Sequence, residues 1–109
     1  MTEREMNEWA IELLSWLEDA VWDVAACCMS DPEWKSKAKK AKVKLTRDWL
    51  ADELYSDPEE VWELLGDRIW DVCKGDNDTI IAFCKIIEGR GSSAVKRAMR
   101  KAIEKYSNC

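Results

Sequence analysis

The chain has 109 residues, 47 % hydrophobic and 36 % charged, with a formal net charge of −5 at pH 7 and no histidine. That length supports one domain with one core, residues 1–109, and the apolar fraction is enough to fold it. Without histidine there is no Ser-His, Cys-His or His-metal machinery, which argues against an enzyme.

Charge is laid down in blocks. Residues 1–34 hold nine carboxylates and one arginine, Lys35 to Arg47 hold seven cations and no acid, residues 48–71 again hold nine carboxylates and one arginine, and the remainder carries +4. The opening TEREMNEW lacks the basic-then-apolar order of a signal peptide. No run approaches the length of a membrane span, so no membrane partner is expected. The five cysteines, Cys27, Cys28, Cys73, Cys84 and Cys109, contain no C-x-x-C pair. They read as free thiols, mostly buried, in a reducing cytoplasm, with no disulfide, no metal site and no cofactor.

Thr2 and Glu5 form a capping box for a first helix reaching about Met29. At 100° per residue, Met6, Ala10, Leu13, Leu17, Ala20, Val24 and Cys28 share one side, and Glu8, Glu12, Asp19 and Asp23 the other. Ile11 and Trp22 lie on the flank. Asp31-Pro32 ends this helix and starts a second, since proline is tolerated in a first turn. Its narrow stripe, Trp34, Ala38, Ala41 and Leu45, is small in the middle and predicts close packing against one neighbour. Thr46 either caps a short third helix with Trp49, Leu50 and Leu54, or the second helix continues.

Ser56-Asp57-Pro58 repeats the cap-then-proline device. The helix after it buries Val61, Leu65, Ile69 and Val72, and Gly66 within it marks close packing or a break. Gly75 to Asp78 reads as a turn. Residues 79–88 are apolar nearly all round and predict a central, buried helix. A strand is the alternative for the paired isoleucines, but no second strand-like run exists to pair with it. After Gly89 to Ser93, a last helix buries Val95, Ala98, Met99, Ala102, Ile103 and Tyr106 and turns Lys96, Arg97, Arg100, Lys101 and Lys105 outward. The expected fold is therefore all-α, with five or six helices in one compact orthogonal or bundle-like domain.

Three surfaces are candidates for function. The first is the row Glu60, Glu63, Asp67 and Asp71 on the helix after Pro58, with Trp70 projecting roughly 60° to one side of it. A tryptophan beside charges supplies desolvated area while the charges steer approach. Trp22 stands in a similar place, because Val21-Trp22-Asp23-Val24 recurs as Ile69-Trp70-Asp71-Val72. Most of the seven tryptophans should be core, leaving one or two exposed. The second and third surfaces are basic: Lys39, Lys40 and Lys44, and Lys96, Arg97, Arg100 and Lys101, as nucleic-acid contacts. Alternating charge blocks instead predict that these segments lie against the fold's own acidic helices, and hence weak or no binding to DNA and RNA.

Leu50, Ala51, Leu54, Val61 and Leu64 match the apolar spacing of a helix-turn-helix DNA reader. The would-be recognition helix carries Glu59, Glu60, Glu63 and Asp67, which phosphate repels. The Gly89-Arg90-Gly91 cluster lacks the strand context of a phosphate loop. In size, acidity and lack of catalytic groups the chain resembles the small helical antagonists of phages and mobile elements, of anti-CRISPR or immunity type. That resemblance implies a monomeric or homodimeric cytoplasmic inhibitor that binds another protein at a basic, nucleic-acid-binding surface. A nucleic-acid-binding or regulatory module that uses the basic segments is the alternative.

Overall fold

A computed structural model describes residues 1–108, so the expected thiol at Cys109 lies outside the described residues. Six helices follow one another: α1 (Glu3–Cys28), α2 (Pro32–Ala41), α3 (Arg47–Tyr55), α4 (Pro58–Cys73), α5 (Asn77–Arg90) and α6 (Ser93–Ser107). The fold is all-α and bundle-like, with no strand among the described residues.

Each start is fixed by a side chain that accepts an otherwise unpaired amide. The Thr2 hydroxyl accepts from the Glu5 N–H at 3.2 Å, and the Glu5 carboxylate accepts in return from the Thr2 N–H at 3.4 Å. Asp31 and Asp57 cap α2 and α4 through the amides of Glu33 and Glu59, each with proline in the first turn. Thr46 accepts from the Trp49 N–H at 3.1 Å, so α3 is separate from α2. Asp76 caps α5 from within the expected turn, and α5 therefore begins at Asn77 rather than Thr79.

α5 lies at the centre, packed against α1, α4 and α6, and buries Ile80, Phe83, Cys84 and Ile87. It pairs most extensively with α6 across the tight Gly91-Ser92 connection. A Cβ on Gly91 would overlap the Val95 side chain, so glycine is required there for space. α4 contributes Val61, Leu65, Ile69 and Cys73, with Val72 half-buried, and α6 contributes Ala94, Val95, Ala98, Met99 and Ala102. Gly66 does not break α4, which runs without interruption from Pro58 to Cys73. The ring of Trp62, one turn earlier, lies 3.2 Å from where a Cβ would stand.

The buried line of α1 departs from the expected stripe. Ala10, Leu13 and Leu17 are buried as expected, but the line continues through Val21 and Ala25, leaving Ala20, Val24 and Cys28 half-buried. The cause is a change of partner. Near its start α1 meets α5, where the Arg90 guanidinium donates to the Asn7 side chain, while Val21 borders α3 beside Ala51 and Tyr55. A stripe that follows two partners in turn rotates around the helix.

α2 differs more. It was expected to pack tightly on one neighbour, yet it makes at most marginal contact with any other helix. Ala38 is buried, but Ala41 is exposed and Leu45 only half-buried. Trp34 provides the attachment, meeting Trp49 edge to face with centroids 6.0 Å apart. The helix closes with a left-handed residue, Lys42 (φ 57°), whose N–H donates to the Lys39 carbonyl while the Val43 N–H donates to that of Ala38. α4 ends in the same way at Lys74 (φ 53°). The molecule is elongated, 46 × 26 × 20 Å, with a radius of gyration of 15.3 Å against roughly 13 Å for a compact chain of this length.

A side chain in the left-handed region costs about 1–2 kcal/mol, which glycine avoids. Lys74→Gly is therefore expected to stabilise the protein by about 0.5–1 kcal/mol, the loss of a cation at the helix C-terminus offsetting part of the gain. Urea melts of the variant and parent check this; a variant less stable than the parent contradicts it.

Candidate functional site

On α4 the acidic row divides. Glu63, Asp67 and Asp71 are exposed, whereas Glu60 is half-buried. Burial pushes the Glu60 carboxyl up, the nearby Glu63 and Asp57 push it further, and Lys37 opposes them. Glu60 thus sits apart from the open row, toward α2. Trp70 is 49 % exposed.

The Trp70 ring is held by the end of its own helix. The Lys74 N–H donates to the Asp71 carbonyl at 3.3 Å and the Gly75 N–H to the Trp70 carbonyl at 3.1 Å. This turn brings Gly75 (φ 72°) against the indole, where a Cβ would come within 2.9 Å of the ring. Both its backbone conformation and the closeness of the ring require glycine at 75. An exposed indole backed by a hydrogen-bonded turn has one face already packed.

On one side of Trp70, Glu63 and Asp67 line a groove of about 400 Å³ between α4 and α6. Its aromatic floor is Trp62 and Tyr106, with centroids 6.5 Å apart. On the other side, Asp71 borders a larger groove of about 780 Å³ shared with α1, whose contributions include Glu5 and Trp9. Trp9 is 43 % exposed and also stands among Glu5, Glu8 and Glu12. Glu5 of α1 and Asp71 of α4 therefore border one groove, with Trp9 on its α1 side. Arg68 lines it too, its guanidinium 3.9 Å from the Trp16 ring centroid.

Trp9 was missed in the sequence. It sits beside acids but at the edge of the apolar stripe, about 20° from Ala20, so its angle does not set it apart as those of Trp22 and Trp70 do. Three tryptophans are exposed rather than one or two, and none of the seven is fully buried. The centre is filled by aliphatic residues and Phe83, while Trp16, Trp34, Trp49 and Trp62 pack at its edge. Trp22, 38 % exposed, is partly covered by Arg47, whose guanidinium lies 4.2 Å above it.

The basic candidates Lys39, Lys40, Lys44, Lys96, Arg97, Arg100 and Lys101 are all exposed. α2 and α6 do not pack on one another, so the two sets are not joined by a helix interface. The expected pairing of Lys35 to Arg47 with the fold's own acids is confined to Arg47. Its guanidinium meets Asp23 at 3.5 Å and donates to the Trp22 carbonyl at 2.9 Å. None of the six lysines forms an ion pair among the described residues; Lys37 lies 4.4 Å over the Trp34 ring. The reason is placement, because a helix that barely touches its neighbours cannot lay its cations on their acidic faces. On α6, Arg100 pairs with Glu88 at 2.8 Å.

The four described cysteines are free thiols, two of them buried. Burial, with Asp76 adding to it, pushes the Cys73 thiol up to about 11. Burial, with Cys73 adding to it, pushes Cys84 up to about 12. Neither is a nucleophile at neutral pH. Among the described residues no group of His, Cys, Asp and Glu is placed to hold a metal ion, and no helix is long and apolar enough to cross a membrane. Comparison with protein-family models, with curated proteins and with solved structures gave no match to this chain.

Proposed function

We propose that the protein is a binding protein that acts by protein–protein contact, docking through the acidic face of α4 onto a basic surface of its partner. The observation that carries this reading is Trp70: a large indole, half in solvent, fixed by a rigid turn and flanked by Asp67 and Asp71. Tryptophan is enriched among residues that dominate binding energy, and carboxylates around it steer association and set register. Trp9 and Glu5 stand across the groove that Asp71 borders, with Glu8 and Glu12 beside Trp9 on α1. The finer reading is an inhibitor of the phage or mobile-element type, whose carboxylates occupy the place that phosphates take on a nucleic-acid-binding target. It acts as a monomer or homodimer in a reducing cytoplasm.

The test begins with capture of the partner from host lysate on immobilised protein, followed by binding kinetics. Trp70→Ala is expected to weaken the complex by about 2 kcal/mol or more, mainly through faster dissociation. Glu63→Lys with Asp67→Lys should slow association and change its salt dependence. Thermal melts of Trp70→Ala should stay near the parent, since the side chain is already half exposed. A stable Trp70→Ala variant that binds as tightly as the parent removes this face from the interface.

A further inference from the structure

The lysines of α2 have no role in the reading above. Lys35, Lys37, Lys39 and Lys40 on α2, with Lys42 and Lys44 just beyond it, place six cations within ten positions, all exposed. None is neutralised by an ion pair among the described residues, although the same chain carries 22 carboxylates. At 100° per residue the four helical lysines fan over roughly 200° of the circumference, on the side away from Trp34 and Ala38. The helix makes at most marginal contact with the others, so this side is not turned into the fold. Acids near it include Asp31 and Glu33 at its start and Glu60 beside Lys37. Charges further away are damped over roughly 8 Å at physiological ionic strength.

We propose that α2 and the turn after it bind the phosphodiester backbone of nucleic acid. Three features select this partner. A fan of point charges without a fixed fork suits phosphate contacts that position a chain without reading bases. A protein interface needs a desolvated anchor at its centre, and here the aromatic, Trp34, is turned to Trp49. A membrane surface needs an apolar face to insert, and α2 with the turn after it offers only Ala41 and Val43 in the open. The weak nucleic-acid binding expected from the sequence rested on the net charge of −5 and on internal pairing of this segment; the net charge stands, but of the segment only Arg47 is paired. This surface is separate from the acidic face of α4, and the two can act together or alone.

Fluorescence anisotropy with a labelled duplex of about 20 base pairs, and with a single strand of equal length, tests it across a salt series starting near 50 mM. Three or four of the six lysines can face one duplex, so log K should fall against log salt with a slope of about −3, and less steeply for the single strand. Joint Lys39→Gln, Lys40→Gln and Lys44→Gln should lower affinity at the lowest salt at least about tenfold and remove most of that slope. These side chains are exposed and unpaired, so the helical circular dichroism should be unchanged. Joint Lys96→Gln, Arg97→Gln and Lys101→Gln on α6 should leave both quantities within about twofold of the parent. Trp70→Ala should also leave duplex binding unchanged, so this proposal and the α4 reading stand or fall separately. No duplex or single-strand binding at the lowest salt overturns the proposal. Equal losses from the α6 variant, or lysine-dependent binding only to phosphatidylserine vesicles, overturn it as well.

Discussion

Phe83→Ala should cost about 3–5 kcal/mol of stability, among the largest effects of any single substitution in this protein. Phe83 is the largest of the fully buried side chains and sits on α5, the helix that packs against α1, α4 and α6 at once. Its removal withdraws the ring from the core and leaves a cavity that three helices would have to move together to close. A domain of this size has roughly 5–15 kcal/mol in total. At about 4–8 °C per kcal/mol the midpoint should fall by tens of degrees. Ile81→Ala, on the same helix but half-buried, should cost clearly less. Thermal and urea melts of both decide the matter. A loss below about 1 kcal/mol for Phe83→Ala would mean that α5 is not the element on which the others are assembled.

Alkali should unfold the protein through two thiols. Cys73 and Cys84 are neutral when protonated, and burial raises them to about 11 and about 12 from an ordinary 9.0. The folded state therefore holds these protons more tightly than the unfolded one. Their stabilisation is complete below pH 9 and is lost as pH rises toward 11 for Cys73 and 12 for Cys84. Each thiol contributes a slope of up to about 1.4 kcal/mol per pH unit between 9.0 and its raised value, so the total loss is several kcal/mol. Urea melts from pH 7 to 11 on the parent and on Cys73→Ala with Cys84→Ala isolate the effect. Every other ionisable group is common to both proteins, so the comparison is between slopes above pH 9. Equal slopes would contradict the assignment.

The helix ends were legible because capping is local. Thr2 with Glu5, Asp31 with Pro32 and Asp57 with Pro58 carry their meaning within four residues, and each caps a helix in the structure. The apolar run of α5 was legible for a related reason, since a helix apolar all round has few places to go but the centre. What failed was information held by a partner. Val21 and Ala25 are buried because α1 passes from α5 to α3, and nothing in residues 3–28 announces that change. Ala38 and Ala41 suggested a close neighbour for α2, but a small-residue stripe permits an approach without supplying one. The lysine block was read through its charge alone, and charge attracts only when packing brings the opposite sign within reach. At the candidate site, the row Glu63, Asp67 and Asp71 and the outward Trp70 followed from angle alone. Glu60 has the right angle on α4 but lies toward a second helix, and Trp9 lies at the edge of the apolar stripe, where angle alone does not tell a core ring from an open one.

The pairings of α1 also set an order of events. α5 and α6 are neighbours in sequence joined by a two-residue connection, so their docking closes a short loop and forms early. α1 instead packs against α3, α4 and α5, which lie far along the chain. It leaves the ribosome before the other five helices, its apolar side uncovered around Val21 until α3 has been made and near its start until α5 has. At about 5–20 residues per second, that interval is several seconds. During it the longest helix of the protein is an amphipathic segment without a partner, kept from self-association by the acids on its other side. The dense carboxylates of α1 thus have a use before there is any fold to solvate, as the charge that keeps a nascent chain soluble.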